Sequence, residues 1–82
     1  MQKEAILVVE DEDVMRESLV DWFSSADHKV DAASDGEQAL KEFNLADYDV
    51  MIVDLKLPGR DGLAVLSEVR AQNPRAKVII IT

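Results

Sequence analysis

The sequence predicts an α/β fold built on a parallel sheet, and three observations carry that prediction. Four short apolar stretches alternate with three segments of helical periodicity, giving the order β-α-β-α-β-α-β. The stretches Val50 to Val53 and Val78 to Ile81 are apolar at successive positions, as in strands covered on both faces. The first and third stretches also run straight into acid: Ala5-Ile6-Leu7-Val8-Val9 ends at Glu10-Asp11, and Val50-Met51-Ile52-Val53 ends at Asp54.

Each element has its own local warrant. Residues Val14 to Ala26 carry Met15, Leu19, Trp22 and Ala26 along one helical face, with Asp13 as N-cap and Asp27-His28 as a solvated turn out. Lys29 to Ala33 reads as a strand with Val30 and Ala32 on one face. Ser34-Asp35-Gly36-Glu37 has capping-box spacing, so a second helix runs to about Phe43 with Ala39, Leu40 and Phe43 inward. Asn44 to Tyr48 forms the exit and Asp49 to Val53 the third strand. Pro58-Gly59 marks a turn before a third helix, which starts near Asp61, buries Leu63, Leu66 and Val69, and stops at Asn73-Pro74. Lys77 to Thr82 is the last strand, buried on both faces.

With strands ordered 2-1-3-4, the doubly wound, flavodoxin-like pattern, right-handed crossovers put the first helix alone on one face and the other two helices opposite. A four-strand sheet spans about 14 Å between its outer strands, whereas one helix covers roughly 10 Å. The face over the third and fourth strands is then bare, and the expectation is the front part of a larger domain, truncated after the fourth strand.

Composition narrows the function. The chain has 82 residues, 48% hydrophobic and 32% charged, which fits a single soluble domain. It has no apolar run of membrane-spanning length and no signal-peptide layout at Met1-Gln2-Lys3-Glu4, so a cytoplasmic location is expected. With no cysteine there is neither a disulfide framework nor a thiolate metal site. A net charge of -8 argues against nucleic-acid binding by this segment.

In a 2-1-3-4 sheet, ligands bind at the carboxyl ends of the strands where the direction of growth reverses, between the first and third strands. Glu10, Asp11 and Asp54 fall there. Two carboxylates about 4 Å apart repel by roughly 4 kcal/mol at an effective dielectric near 20, so such a cluster points to a cation. Oxygen-only ligands without nearby His or Cys suit Mg2+. A carboxylate beside that ion can also act as a nucleophile towards phosphorus, giving an aspartyl phosphate.

The whole chain resembles the receiver domain of two-component response regulators. Ile6-Leu7-Val8-Val9-Glu10-Asp11 is similar to the acidic-pocket strand, the segment from Asp54 to Gly62 to the phosphoacceptor loop, and Val78-Ile79-Ile80-Ile81-Thr82 to the switch strand. The resemblance implies an incomplete receiver domain over 1–82, lacking a fifth strand and the last two helices. It implies Asp54 as phosphoacceptor and Asp11, Asp54 and the Lys56 backbone carbonyl as Mg2+ ligands. Glu10 would act directly or through a water, and the Thr82 hydroxyl would meet the phosphoryl group. A sensor histidine kinase is the implied donor, a C-terminal output domain the implied effector, and a homodimer the implied phosphorylated form. The domain would catalyse its own phosphorylation and dephosphorylation without being a conventional enzyme. The family's lysine after a fifth strand has no counterpart, and Lys77 lies at the wrong end of its strand for that role. The Leu57 to Leu66 stretch is similar to receivers of enhancer-binding transcription activators of the nitrogen-regulation type. Two rivals remain at this stage: an aspartate-nucleophile phosphatase, which usually has a second acid where Lys56 stands, and a receiver-like interaction module without phosphate turnover.

Overall fold

A computed structural model describes residues 3–54, 56 and 62–81. Strands β1 (Ala5–Val9), β2 (Lys29–Ala33), β3 (Val50–Asp54) and β4 (Lys77–Ile81) form one parallel sheet in the order β2-β1-β3-β4. Helices α1 (Asp13–Ser25), α2 (Gly36–Glu42) and α3 (Gly62–Gln72) connect them, with a single 3-10 turn at Leu45–Asp47 before β3.

The period-two alternation of the strands sorts the core into two layers. Leu7 and Val9 of β1 and Met51 and Val53 of β3 face α2 and α3, where they pack with Ala39, Leu45, Val65 and Val69. Ile6, Val8 and Ile52 face α1 and pack against Leu19 and Phe23. Tyr48 is buried in the first layer, and its hydroxyl donates to Asp31 Oδ2 at 2.6 Å. Burial, then that carboxylate, pushes the phenol above its ordinary range.

Several sequence expectations shift by one helical position or one residue. On α1 the meridian nearest the sheet runs through Arg16, Leu19, Val20 and Phe23, so Met15 and Trp22 lie on the flank, Trp22 at 72% exposure. Arg16 on that meridian is tied to main-chain carbonyls beyond β1. The helix is preceded by Glu12 rather than by Asp13, without a side-chain cap. In α2 the capping pair is Asp35 and Gln38: Asp35 Oδ1 accepts from the Gln38 N–H at 2.8 Å, and Gln38 Oε1 accepts from the Ser34 N–H at 2.6 Å. The inward residues Ala39, Leu40 and Phe43 are as expected. In α3 the buried meridian is Gly62, Val65 and Val69, leaving Leu63 exposed and Leu66 half-buried, because the helix packs against α2 and the 3-10 turn through its smaller residues.

β3 is buried from Met51 onward, but β4 is not: Ile79 is 49% and Ile80 38% exposed. Register puts Ile79 on the face of Ile52 and Ile80 on that of Val53, so both faces of this edge strand are only partly covered, Val78 and Ile81 packing at the margins of the two core layers. The expected bare region is therefore narrower than the expectation drawn from helix width. His28 is half-buried, not solvated: its Nδ1 accepts from the Glu4 N–H at 3.1 Å, after Asp27 turns the chain at φ 68°.

Candidate functional site

The site is a consequence of register. Val9 pairs with Val53, so the next residues of the two strands, Glu10 and Asp54, fall side by side. By alternation both belong to the face of Ile6, Val8 and Ile52, which turns towards α1. The β1–β2 ladder continues one step past the strand, where the Glu10 N–H donates to the Ala33 carbonyl at 3.1 Å. Glu10 is thus held as firmly as a strand residue while standing at the sheet's open end.

Three carboxylates meet there. One oxygen each from Glu10, Asp11 and Asp54 lies within 4.8 Å of the others, with Glu10 and Asp54 buried and Asp11 exposed. Two backbone donors partly compensate. The Asp11 N–H donates to Glu10 Oε2 at 3.1 Å, and the Lys56 N–H donates to Asp54 Oδ1 at 2.9 Å. Among the described residues, no Lys or Arg side chain forms an ion pair with any of the three. Burial, followed by the hydrogen bond and charge of Asp54 and then the charge of Asp11, pushes the Glu10 carboxyl up to about 7. Near neutral pH Glu10 therefore holds a proton for part of the time, a place that a bound cation can take instead.

The donor set decides which cation fits. All side-chain ligands are oxygen, without His or Cys, and the outermost, Asp11, is open to solvent, so water can complete the shell. That is the chemistry of a hard divalent ion such as Mg2+.

Of the residues expected from sequence, the structure brings Glu10, Asp11 and Asp54 together, and places Lys56 next to them through its N–H. Thr82, and the loop positions Pro58, Gly59 and Asp61, lie outside the described residues. Arg16, read from sequence alone, lies near the mouth of the site as a plain helix position. In the structure its guanidinium donates through Nη1 to the Glu10 carbonyl at 3.1 Å and the Asp11 carbonyl at 3.4 Å, and through Nη2 to Asp13 Oδ1 at 2.6 Å. An Arg one helical turn beyond an acidic strand end is a signal available in sequence, though it does not distinguish a backbone brace from a surface ion pair. At the opposite end of the sheet, a cleft of about 360 Å³ is lined by residues including Glu4, Asp49, Arg75 and Lys77. Lys77 indeed lies far from the acids, at the start of β4.

Among the described residues, no helix is long and apolar enough to cross a membrane. Residues 6–82 match the family model described as response regulator receiver domain. The two-component response regulator PhoP of Pseudomonas aeruginosa is 38% identical over 77 residues, covering 94% of this chain and 34% of that protein. The chain thus spans about a third of the length of that relative. Among solved structures, NtrX from Brucella abortus superposes with a TM-score of 0.90 at 32% identity, over 99% of this chain and 19% of that one. TrrA from Thermotoga maritima, solved in complex with Mg2+-BeF, gives 0.83 at 40% identity, over 94% of this chain and 67% of that one. TrrA has also been crystallised in complex with the histidine kinase ThkA. The order β2-β1-β3-β4, the acids at its switch point and a family match over residues 6–82 lead to one conclusion: this chain belongs to the response regulator receiver domain family.

Proposed function

We propose that Asp54 is the phosphoacceptor of a two-component signalling pathway and that Mg2+ is held by Glu10, Asp11, Asp54 and the Lys56 carbonyl. The observation that carries this reading is the convergence of three carboxylates, two of them buried, with no side-chain cation among the described residues to neutralise them. An acid cluster maintained against its own repulsion is accounted for by a ligand that it binds. The Mg2+-BeF complex of TrrA supports the choice of ion, and its complex with a histidine kinase supports the choice of donor.

In the proposed step an Asp54 carboxylate oxygen attacks phosphorus in line with the bond to the donor imidazole of a phosphohistidine. The new O–P bond forms as the P–N bond breaks, its electron pair staying on the nitrogen, which then takes a proton. A bound divalent ion supplies positive charge against the phosphoryl oxygens and carboxylates. The chain's own part is orientation. The Lys56 N–H fixes one Asp54 oxygen, and Glu10, braced by the strand ladder and the Asp11 N–H, sets the inner wall. Hydrolysis of the acyl phosphate, with water attacking phosphorus, returns Asp54 and inorganic phosphate.

The phosphoryl group adds about -1.5 to -2 charge and strong acceptors, which draws the Thr82 hydroxyl inward and biases the neighbouring packing. The proposed output is regulation of transcription in the cytoplasm, on the similarity of residues 57–66 to receivers of enhancer-binding activators. A homodimer on phosphorylation belongs to the same proposal.

The test is incubation with Mg2+ and acetyl phosphate followed by intact-mass measurement. A gain of one phosphoryl group that is lost with chelator and in Asp54→Asn is the expected result. No gain in the wild type, or an undiminished gain in Asp54→Asn, overturns the assignment.

A further inference from the structure

We propose that Arg16 is a positioning residue for the cation site, acting on the main chain that presents Glu10 and Asp11; this rests on the cation-site reading above. Asp11 is the least enclosed of the three acids. Its carboxylate is one of the three that converge, yet the residue is exposed, so side-chain packing does not hold it in place. The backbone must do so, and that backbone has left the sheet: β1 ends at Val9, and the last ladder contact beyond it is the Glu10 N–H to Ala33.

Arg16 reaches this segment from the first turns of α1. One guanidinium nitrogen spans the Glu10 and Asp11 carbonyls at 3.1 and 3.4 Å, and the other is anchored on Asp13 at 2.6 Å. The Arg16 side chain is 19% exposed against 79% for Asp13, so the fork lies inside the loop that it braces. A planar guanidinium with several fixed donors can hold two acceptors and an anchor together, which a single ammonium cannot do.

The choice of acceptors matters. Arg16 lies five residues beyond Asp11, yet it bonds carbonyls and Asp13, and none of the three converging carboxylates. It therefore braces the site without occupying the lone pairs that a cation needs. Two roles for Arg16 can be told apart by sign. As a mere neutralising charge it would compete with the cation, and its removal would tighten Mg2+ binding. As a backbone brace its removal weakens binding, in the manner of outer-shell partners of metal ligands, by about tenfold.

The experiment is calorimetric titration of the full chain with Mg2+, in the wild type, Arg16→Ala and Arg16→Lys, with folding checked by far-UV circular dichroism. Thermal midpoints are measured without Mg2+ and with subsaturating Mg2+. We expect Arg16→Ala to bind Mg2+ about tenfold more weakly and Arg16→Lys to fall between the two, since an ammonium restores one carbonyl contact. The upward shift in midpoint produced by subsaturating Mg2+ should shrink in the same order, which a uniform loss of stability would not cause. Arg16→Ala binding as tightly as the wild type, or more tightly, overturns the proposal. Should Arg16→Ala not fold, Arg16→Lys decides: a several-fold loss supports the brace, and wild-type affinity overturns it. A wild type that takes up no Mg2+ and gains no mass with acetyl phosphate overturns the cation-site reading, and Arg16's role with it. A wild type that binds, with both variants unchanged, overturns the role of Arg16 alone.

Discussion

The two ends of the same sheet treat acids in opposite ways. At the amino-terminal end, Asp49 Oδ2 accepts the Ala5 N–H at 2.9 Å, and backbone bonds from Lys29 to Glu4, Asp49 to Ala5 and Lys77 to Asp49 stitch the strand starts together. Arg75 and Lys77 line the same cleft as Glu4 and Asp49, so charge of both signs is interspersed. At the carboxyl-terminal end three acids converge, two are buried, and among the described residues the help they receive is two backbone N–H groups. A matched acid fastens the fold. An unmatched cluster weakens it and keeps binding energy in reserve for a ligand.

The largest expected effect sharpens this contrast by giving one substitution opposite signs. Asp54→Asn should abolish phosphoryl incorporation. It should also raise the stability of the chelator-treated protein by about 1 kcal/mol, since a buried like charge disappears. The amide keeps an oxygen for the Lys56 N–H, so no buried donor is orphaned. Intact mass and a thermal melt in chelator read both. A destabilised Asp54→Asn would mean that the acid is structural, as at the other end.

Next comes the pH dependence at the cation end. The Glu10 carboxyl titrates at about 7 in the folded chain against an ordinary 4.5, so between those values the native state binds more protons than the unfolded one. The contribution of Glu10 to the stability of the chelated protein is therefore fully present below pH 4.5 and is lost as pH rises through about 7. The span is on the order of 3 kcal/mol. Mg2+ competes with that proton, so its affinity should rise through the same window, and excess Mg2+ should flatten the slope. Urea melts at stepped pH, with and without Mg2+, check this; a flat profile in chelator would sink it, and Glu10→Gln should remove the slope.

At the other end the corresponding acid should behave conventionally. Asp49→Ala loses an exposed, charge-assisted bond to the Ala5 N–H and should cost about 1 kcal/mol. Mg2+ affinity and phosphoryl uptake should stay at wild-type level. A several-fold change in either would break the separation between the two ends, because it would show the strand starts communicating with the strand ends.

How much of this was legible in sequence follows from what each inference needed. The strand order, the three converging acids and the inward faces of β2 and α2 depend on alternation, capping chemistry and crossover handedness, all local or topological rules. What failed depended on rotation or on long-range partners. Trp22 and Leu63 fit apolar helical stripes as well as Phe23 and Val65 do, and which stripe faces the sheet depends on long-range packing that local periodicity does not encode. The β-branched run of β4 predicted cover on both faces, whereas exposure there depends on what packs beside an edge strand. His28 looked like turn chemistry because its partner, the Glu4 N–H, lies 24 residues away in sequence.

His28 gives the smallest test of the contrast. It belongs to the matched end, where its Nδ1 accepts from the Glu4 N–H beside the Lys29 to Glu4 backbone bond. Glu4 is itself only half-buried, so water can replace the imidazole once the ring is gone. The remaining loss is the contact between the His28 and Phe23 rings, whose centroids are 6.4 Å apart. His28→Ala should therefore cost about 0.5 kcal/mol, measurable as a small drop in urea midpoint with an unchanged slope against denaturant. Mg2+ affinity should not move. If His28→Ala instead weakened Mg2+ binding, the end of α1 would have to transmit its position to Arg16 near the start, and the two ends of the sheet would be coupled through that helix.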